Sequence, residues 1–234
     1  MRTLQEIGIH FETDKALYHM FCDEYDKRLT QLRDEPIEML EVGILHGCSL
    51  LMWHEYFNKA KLHGADILHY DINIERITTY VCNQEVEEDL RRLPKNLDLI
   101  IDDGGHTMLQ QQLTLKVLLI ENLKPGGIFI LEDLHTSRPY YGSHNVVTPT
   151  TTNPTGYGAI LCDWDAPNRD NQWHANSKNN TLNLLEDLIA GSPRPDSEYL
   201  ISNEEFQLIH SQIESIEIID LGVDHVTSFI KKKN

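Results

Sequence analysis

Basic residues are scarce in this 234-residue chain. Its 20 Lys and Arg stand against 37 Asp and Glu, for a net charge of −17. The one basic run is Lys231, Lys232 and Lys233, and no basic stripe accompanies it. Because a surface of this charge is repelled by DNA, RNA and anionic lipid, the composition excludes nucleic-acid partners and membrane-surface partners. It favours a neutral or cationic substrate.

Long apolar runs and paired cysteines are also missing. The longest apolar runs are LDLII and VLLI, whereas a membrane-spanning helix needs about 20 apolar residues. The first ten residues lack the apolar core of a signal peptide. Cys22, Cys48, Cys82 and Cys162 form no CxxC pair and no zinc-binding spacing with histidine, which predicts reduced thiols. We therefore expect a cytoplasmic protein without a transmembrane segment.

Short apolar strands alternate with amphipathic helices through the first part of the chain. The predicted strands are 37–45, 63–71, 76–83, 97–103 and 127–133. This order is typical of a parallel sheet covered by helices on both faces. Two last strands, joined by a GVD turn, are predicted to be antiparallel. The fold class expected is α/β, a doubly wound Rossmann-like sheet that is mostly parallel with an antiparallel C-terminal strand.

The length suits a single domain over residues 1–234 with two special segments. Residues 15–33 show helical spacing that Pro36 ends, which predicts an N-terminal helical cap over 1–36. The helical face consists of Leu17, Phe21, Tyr25, Leu29 and Leu32. Residues 137–176 show no periodicity and carry four prolines and five aromatic residues. Such a segment is typical of a functional loop, here an acceptor-side loop or lid.

A glycine turn follows the first predicted strand, at the strand end where parallel sheets bind ligands. Gly43 and Gly47 let the backbone approach a ligand, but the turn lacks the GxGxxG pattern, and a plain strand-to-helix turn explains it equally well. Asp66 lies 23 residues after Gly43, at an offset where an acid binds the ribose hydroxyls of a nucleoside. Asp71 is the alternative for that role.

Two further strands end in pairs of acids, Asp102-Asp103 and Glu132-Asp133. If these strands are neighbours, four carboxylates lie within a few ångströms and repel one another unless they are protonated or bridged by a cation. An all-oxygen ligand set suits Mg²⁺, Mn²⁺ or Ca²⁺ rather than zinc. The spacing therefore predicts a divalent-metal site at this edge of the sheet.

A histidine beside these acids is the candidate general base. His106 lies three residues past Asp103, within reach of a ligand held by the metal. A lone histidine is more often structural, but the neighbouring acids favour a catalytic role. His46 and His135 also lie near strand ends and are the alternatives.

Four segments together resemble the macrocin-type sugar O-methyltransferases. They are Thr13-Asp14-Lys15, MLEVGILHGCSLLMWHEYF, LDLIIDDGGH and LKPGGIFILEDLHTS, within residues 11–137. That family consists of metal-dependent class I S-adenosylmethionine methyltransferases and has cephalosporin-hydroxylase-like relatives. The resemblance implies S-adenosylmethionine and Mg²⁺ or Mn²⁺ as cofactors, and a sugar hydroxyl of a glycan or glycoside as the acceptor.

The resemblance also implies which residues form the site. It assigns Asp103, Glu132 and Asp133 as metal ligands and His106 as the base. The implied cofactor pocket consists of Glu41, Gly43, Gly47, Ser49, Asp66, Asn83, Gln84, Asp102 and Thr13. The sequence departs from the family pattern at Glu12, Cys48, Asn83, Gly105 and Arg138.

Two other functions stay open at this point. One is a dinucleotide-dependent oxidoreductase or hydroxylase-like enzyme on the same sheet, against which the missing third glycine of GxGxxG argues. The other is a non-catalytic partner subunit that binds metal and nucleoside. The intact set of Asp103, His106, Glu132 and Asp133 argues against lost activity. The acceptor's identity and the oligomeric state, a homo-oligomer included, are also left open.

Overall fold

A computed structural model describes residues 2–137, 180–222 and 225–234. Its helices are α1 (Leu4–His10), α2 (Asp14–Leu17), α3 (Cys22–Leu29), α4 (Cys48–Tyr56), α5 (Glu87–Arg92), α6 (Met108–Val117), α7 (Thr181–Ala190) and α8 (Asn203–Gln212). Its strands are β1 (Glu38–Val42), β2 (Lys61–Asp66), β3 (Ile77–Val81), β4 (Leu97–Asp102), β5 (Leu123–Leu131), β6 (Ile213–Gly222) and β7 (His225–Lys232). Short 3-10 turns cover Thr30–Leu32 and Leu134–Ser137, and a π turn covers Leu118–Asn122.

The seven strands form one sheet in the order β3-β2-β1-β4-β5-β7-β6. Strands β1 to β5 are parallel, and β7 runs antiparallel to both of its neighbours, β5 and β6. The predicted fold class is therefore confirmed. The strand order reverses between β1 and β4, and ligands of open parallel sheets bind at this kind of switch point.

Helices cover both faces of the sheet, so the central strands are apolar without interruption. In β4, Ile100 packs into one core layer while Leu99 and Ile101 pack into the other, and all three are fully buried. Trp53 on α4 and Phe57, the residue that follows this helix, are fully buried, as the helical spacing predicts.

The expected N-terminal helix over 15–33 is wrong in one respect, because the chain breaks between α2 and α3. Met20 takes a left-handed conformation with φ of 59°, and a residue in that region cannot continue a helix. On α2, before the break, Lys15 is fully buried whereas Leu17 is 57% exposed. Periodicity could not predict this, because it scores Leu17 as core and Lys15 as surface.

The KPGG segment, residues 124–127, lies before most of the predicted strand 127–133 and forms a bulge inside β5. Leu97 pairs with Leu123, and Leu99 pairs with Ile128. Between these two pairs β5 therefore contains more residues than β4 does, which makes the bulge. Gly126 has φ of 71°, which a glycine adopts without steric cost. The strand is therefore longer than its apolar run, since the backbone resumes pairing on both sides of the bulge.

Several expectations fall on parts of the chain outside the description. Of the predicted acceptor-side loop 137–176, only Ser137 lies within the described residues, and Val223 and Asp224 of the GVD turn lie outside them. The described residues within the predicted helical cap over 1–36 include α1, α2, α3 and a 3-10 turn. Among the described helices, none combines the length and apolar character needed to cross a membrane.

Lys232 stabilises the π turn that continues α6 and the first residue of β5. Its side chain is nearly buried, and its ammonium donates to three backbone carbonyl oxygens at 2.7, 3.0 and 2.8 Å. The acceptors belong to Leu119, Ile120 and Leu123. The last turn of a helix leaves carbonyls without an internal partner, so this lysine acts as a cap from the neighbouring strand.

We predict that Lys232→Met lowers the free energy of unfolding by about 1–3 kcal/mol, because it leaves buried carbonyl oxygens without a donor. Urea denaturation measures the loss. Lys233→Met is the matched control, since Lys233 donates to one exposed carbonyl, and it should cost below about 0.5 kcal/mol. Equal losses in the two variants would contradict the capping role.

Candidate active site

A cavity of about 440 Å³ opens beyond the carboxyl ends of β1, β2 and β4, beside the switch point of the sheet. Its volume is in the range of small-molecule sites, roughly 300–1,000 Å³. Predicted site residues that line it are Thr13, Gly43, Ser49, Asp66, Asn83, Gln84, Asp103 and His106. Predicted residues that do not line it are Glu41, Gly47, Asp102, Glu132 and Asp133.

The turn after β1 packs directly on the turn after β4. Gly43 has φ of 82°, and a Cβ added there would lie 2.0 Å from the carbonyl oxygen of Asp103. No side chain fits in that space, so the two turns can meet only at a glycine. Gly47 has φ of 80° and precedes the first residue of α4. Both predicted glycines are thus required by backbone geometry.

Asp66 shapes the glycine turn from the end of β2. Its Oδ2 accepts backbone N–H bonds from Ile44 at 3.0 Å and Leu45 at 3.1 Å, and its Oδ1 accepts one from Leu68 at 3.0 Å. Leu45 takes a left-handed φ of 43°, and these bonds hold it there. Asp66 also lines the cavity, whereas the alternative, Asp71, is exposed and does not.

Glu41 lies behind the cavity and joins β1 to α4. Its Oε2 accepts a hydrogen bond from the Ser49 hydroxyl at 2.8 Å, and its Oε1 accepts one from the Trp53 indole at 3.2 Å. Burial raises the pKa of Glu41, and the ammonium of Lys15 opposes that rise. Glu41 supports the cavity and does not line it.

Asp102 turns away from the expected cluster of four carboxylates, because successive side chains of a strand point to opposite faces. Its Oδ1 accepts from the Gln84 amide at 2.8 Å, and Gln84 in turn accepts from the backbone N–H of Gly105 at 2.8 Å. Burial raises the pKa of Asp102 to about 7. Gln84, predicted near an adenine, therefore also braces the turn after β4.

Asp103, His106 and Asp133 form a candidate metal centre. Each offers one ligand atom, and these atoms lie within 4.8 Å of one another. His106 Nε2 is 3.2 Å from Asp133 Oδ2 and 4.0 Å from Asp103 Oδ1. His106 and Asp133 have φ of 58° and 55°, in a region that side-chain-bearing residues avoid and that is frequent at functional sites.

Glu132 lies at the edge of this group rather than within it. Its Oε2 is 3.1 Å from the ammonium of Lys15, and the buried hydroxyl of Tyr25 also interacts with its carboxylate. Burial raises the pKa of Glu132 to about 7, while Lys15 opposes the rise. Glu132 thus lies between the ammonium of Lys15 and the hydroxyl of Tyr25, beside the candidate metal ligands.

Lys15 is the main residue whose role the sequence did not predict. Its side chain is fully buried and forms ion pairs with Glu41 at 3.6 Å, Glu132 at 3.1 Å and Asp103. Burial lowers its pKa, but the carboxylates outweigh that effect and the pKa lies well above its usual value. The signal in the sequence is the Thr13-Asp14-Lys15 motif, which carries no hint of burial.

Three histidines surround Asp133. The Nδ1 atoms of His19 and His135 are each 3.7 Å from its Oδ1, and His106 faces its Oδ2. Burial favours a higher pKa for Asp133, but the histidines outweigh it and lower that pKa. Burial lowers the pKa of His106, which favours the neutral imidazole. Of the alternative bases, His46 lines the cavity and His135 lies against Asp133.

The sheet order and the site at its switch point define the class I methyltransferase fold. A solved structure of MycE, a methyltransferase from the mycinamycin biosynthetic pathway in complex with Mg and SAH, superposes on the whole chain with a TM-score of 0.69 at 22% identity. The chain covers 55% of that structure. No family profile matches the chain.

The relatives in sequence are sugar O-methyltransferases, which confirms the predicted resemblance. The 8-demethyl-8-(2-methoxy-alpha-L-rhamnosyl)-tetracenomycin-C 3'-O-methyltransferase of Streptomyces olivaceus is 32% identical over 183 residues, 70% of this chain and 47% of the relative. The demethylmacrocin O-methyltransferase of Streptomyces fradiae is 31% identical over 170 residues, 67% of this chain and 42% of the relative. The chain therefore spans less than half the length of these curated relatives.

We predict that Gly43→Ala lowers the free energy of unfolding by more than about 3 kcal/mol, because the new methyl group forces two backbone turns apart. Gly191→Ala is the matched control. Gly191 has φ of 80°, but an added Cβ there would meet only the end of the His210 ring at 3.2 Å. The Gly191→Ala substitution should lower the free energy of unfolding only by what it costs to hold an alanine in the left-handed conformation, about 1–2 kcal/mol. Similar losses in chemical denaturation would show that the contact with Asp103 is not tight.

Proposed function

We propose that the protein is an S-adenosylmethionine-dependent, divalent-metal-dependent O-methyltransferase acting on a sugar hydroxyl of a glycan or glycoside. The observation that carries the proposal is the group of Asp103, His106 and Asp133 beside the cavity at the switch point. It joins a candidate base to candidate metal ligands next to a space of cofactor size. The names of the curated relatives, all O-methyltransferases, support the same reaction.

The cavity suits a cationic nucleoside cofactor. Glu12, Asp14, Asp66, Glu85 and Asp103 line it, and this negative charge attracts a sulfonium. The turn from Gly43 to Gly47 offers close backbone approach, and Asp66 lies at the strand end where an acid binds ribose hydroxyls. Asn83 and Gln84, which follow β3, line the same cavity and are proposed to border the adenine.

The residues present fit a hard divalent cation. The nearby donors are carboxylate oxygens of Asp103, Asp133 and Glu132, with one imidazole nitrogen from His106. Such oxygen-rich sets favour Mg²⁺ or Mn²⁺. We propose Asp103, Glu132 and Asp133 as the ligands that would hold it.

Bound S-adenosylmethionine supplies an electrophilic methyl group, and a divalent cation lowers the pKa of a hydroxyl group beside it. The residues of the chain supply positioning and proton transfer. His106 Nε2 faces Asp103 and Asp133 and is placed to take the hydroxyl proton as the hydroxyl oxygen bonds to the methyl group. The sulfur–methyl bond of the cofactor would break in the same step, and S-adenosylhomocysteine would be the leaving group. Asp133, 3.2 Å away, then stabilises the imidazolium.

The wider setting is also part of the proposal. We propose a sugar-bearing small molecule or glycan as the acceptor, no nucleic-acid partner because of the net charge of −17, and action in the cytoplasm. The oxidoreductase alternative gains no support from the curated relatives. A non-catalytic partner subunit would bind cofactor and metal without transferring methyl groups. An assay of methyl transfer therefore distinguishes it from the proposed enzyme.

The proposed reaction is tested with isotope-labelled S-adenosylmethionine and a panel of rhamnosylated and olivosylated compounds. We expect methyl transfer with Mg²⁺ or Mn²⁺, and its loss in excess EDTA. Asp103→Asn should abolish metal-dependent turnover, because it removes one ligand charge at nearly constant shape. Asp71→Asn, at an exposed acid outside the cavity, is the control and should stay active. Full turnover in EDTA would overturn the metal requirement.

We predict that His106→Gln lowers kcat by about 10²–10⁴-fold, the usual contribution of a general base. S-adenosylmethionine affinity should change little, because the assigned role of His106 is proton transfer. Steady-state kinetics and calorimetry provide the two measurements. His46→Gln and His135→Gln are measured in parallel. If His106→Gln keeps the native kcat while His135→Gln loses it, His135 is the base.

A further inference from the structure

Lys15 lies among the carboxylates of the site but has no assigned role. Its ammonium contacts Glu41 within β1, Asp103 directly after β4 and Glu132 directly after β5. The side chain is fully buried, and lysines are almost never buried to this extent unless they are paired. Lys15 reaches this position from α2, outside the sheet, so the N-terminal helices contribute a charge to the proposed metal site.

The ammonium of Lys15 contacts one carboxylate oxygen of each of two proposed metal ligands, Asp103 and Glu132. On Asp103 the ammonium contacts Oδ2, while Oδ1 faces His106 at 4.0 Å. On Glu132 it contacts Oε2 at 3.1 Å, and the other partner of this carboxylate is the neutral hydroxyl of Tyr25. Lys15 is therefore the cationic partner of both carboxylates, and it leaves Asp103 Oδ1 turned toward His106.

The balance of charges points the same way. One ammonium, that of Lys15, stands against four carboxyl groups, those of Glu41, Asp103, Glu132 and Asp133. A divalent cation that displaces protons from these groups therefore meets negative charge that Lys15 alone does not neutralise. Lys15 and that cation then share Asp103 and Glu132. Two cations held by the same carboxylates repel each other, and this repulsion is strong away from bulk water.

We propose that Lys15 is a positioning residue that serves as a built-in counter-ion of the metal site. It holds Asp103 and Glu132 in place before the metal binds, and its positive charge weakens the binding of that metal. The inference rests on the divalent-metal site of the proposed function. Its consequence is that the acidic strand ends stay folded without metal, while the metal binds reversibly.

A purely structural lysine would behave differently from a counter-ion. Loss of a structural lysine lowers stability equally with and without metal, and it leaves metal affinity unchanged or reduced. Loss of a counter-ion destabilises the metal-free protein most, because the bound metal takes over the neutralisation of the carboxylates. Metal affinity rises, since the repelling charge has gone. The sign of the change in affinity therefore distinguishes the two roles.

The test measures Mn²⁺ binding by calorimetry and thermal unfolding with and without Mn²⁺, on the full chain. Lys15→Met should bind Mn²⁺ at least about tenfold more tightly than the native protein, because it removes a unit charge close to a divalent ion. Mn²⁺ should also raise its melting temperature by more than it raises that of the native protein. The Lys15→Arg variant keeps the positive charge, so its affinity for Mn²⁺ should be closer to that of the native protein than the affinity of Lys15→Met is.

Lys116→Met is the matched control, because Lys116 is also nearly buried and bridges two acids, Glu87 and Glu205, away from the site. It should lose stability without a change in Mn²⁺ affinity. A folded Lys15→Met that binds Mn²⁺ no more tightly than the native protein overturns the inference, whether or not methyl transfer is observed. So does failure of both Lys15→Met and Lys15→Gln to fold with Mn²⁺ present. Tighter binding without any methyl transfer would support the inference and count against the proposed function.

Discussion

Acidic side chains buried together at the ends of parallel strands need positive charge among them. Here β1, β4 and β5 bring Glu41, Asp103 and Glu132 to one edge of the sheet, where the ammonium of Lys15 contacts all three. Without that charge the carboxylates would repel one another in a region of low dielectric. The break between α2 and α3, the inward turn of Lys15 and the exposure of Leu17 are all consistent with this electrostatic requirement.

The cavity is bounded by turns that hold one another in place. The turn after β1 contacts the turn after β4 at Gly43, and Asp66 binds the backbone of the first turn from the end of β2. Gln84 binds the backbone of the second turn at Gly105. Several residues predicted as ligand contacts therefore also support the backbone around the cavity. A site held in this way loses little entropy when a ligand binds.

Most of the sheet could be predicted from sequence because its strands are short apolar runs followed by polar residues. The acid pairs after β4 and β5 were predicted to meet, and adjacency of these strands in the structure brings Asp103 and Asp133 together. Asp102 could not be placed in advance, since a single residue of offset along a strand reverses the face to which a side chain points. The helix over residues 203–212 was missed, although Ser202 and Glu205 form a capping box at its start.

The sequence by itself determined the class of the fold and the neighbourhood of the site, because apolar periodicity and strand-end acids are local patterns. Tertiary structure decided which acids meet, which one turns away to Gln84 and which cation lies among them. Lys15 is 88 residues from Asp103 and 117 from Glu132 along the chain, so no local pattern could pair them. The burial of a lysine depends on the partners that the fold brings to it, and that information exists only once the sheet has assembled.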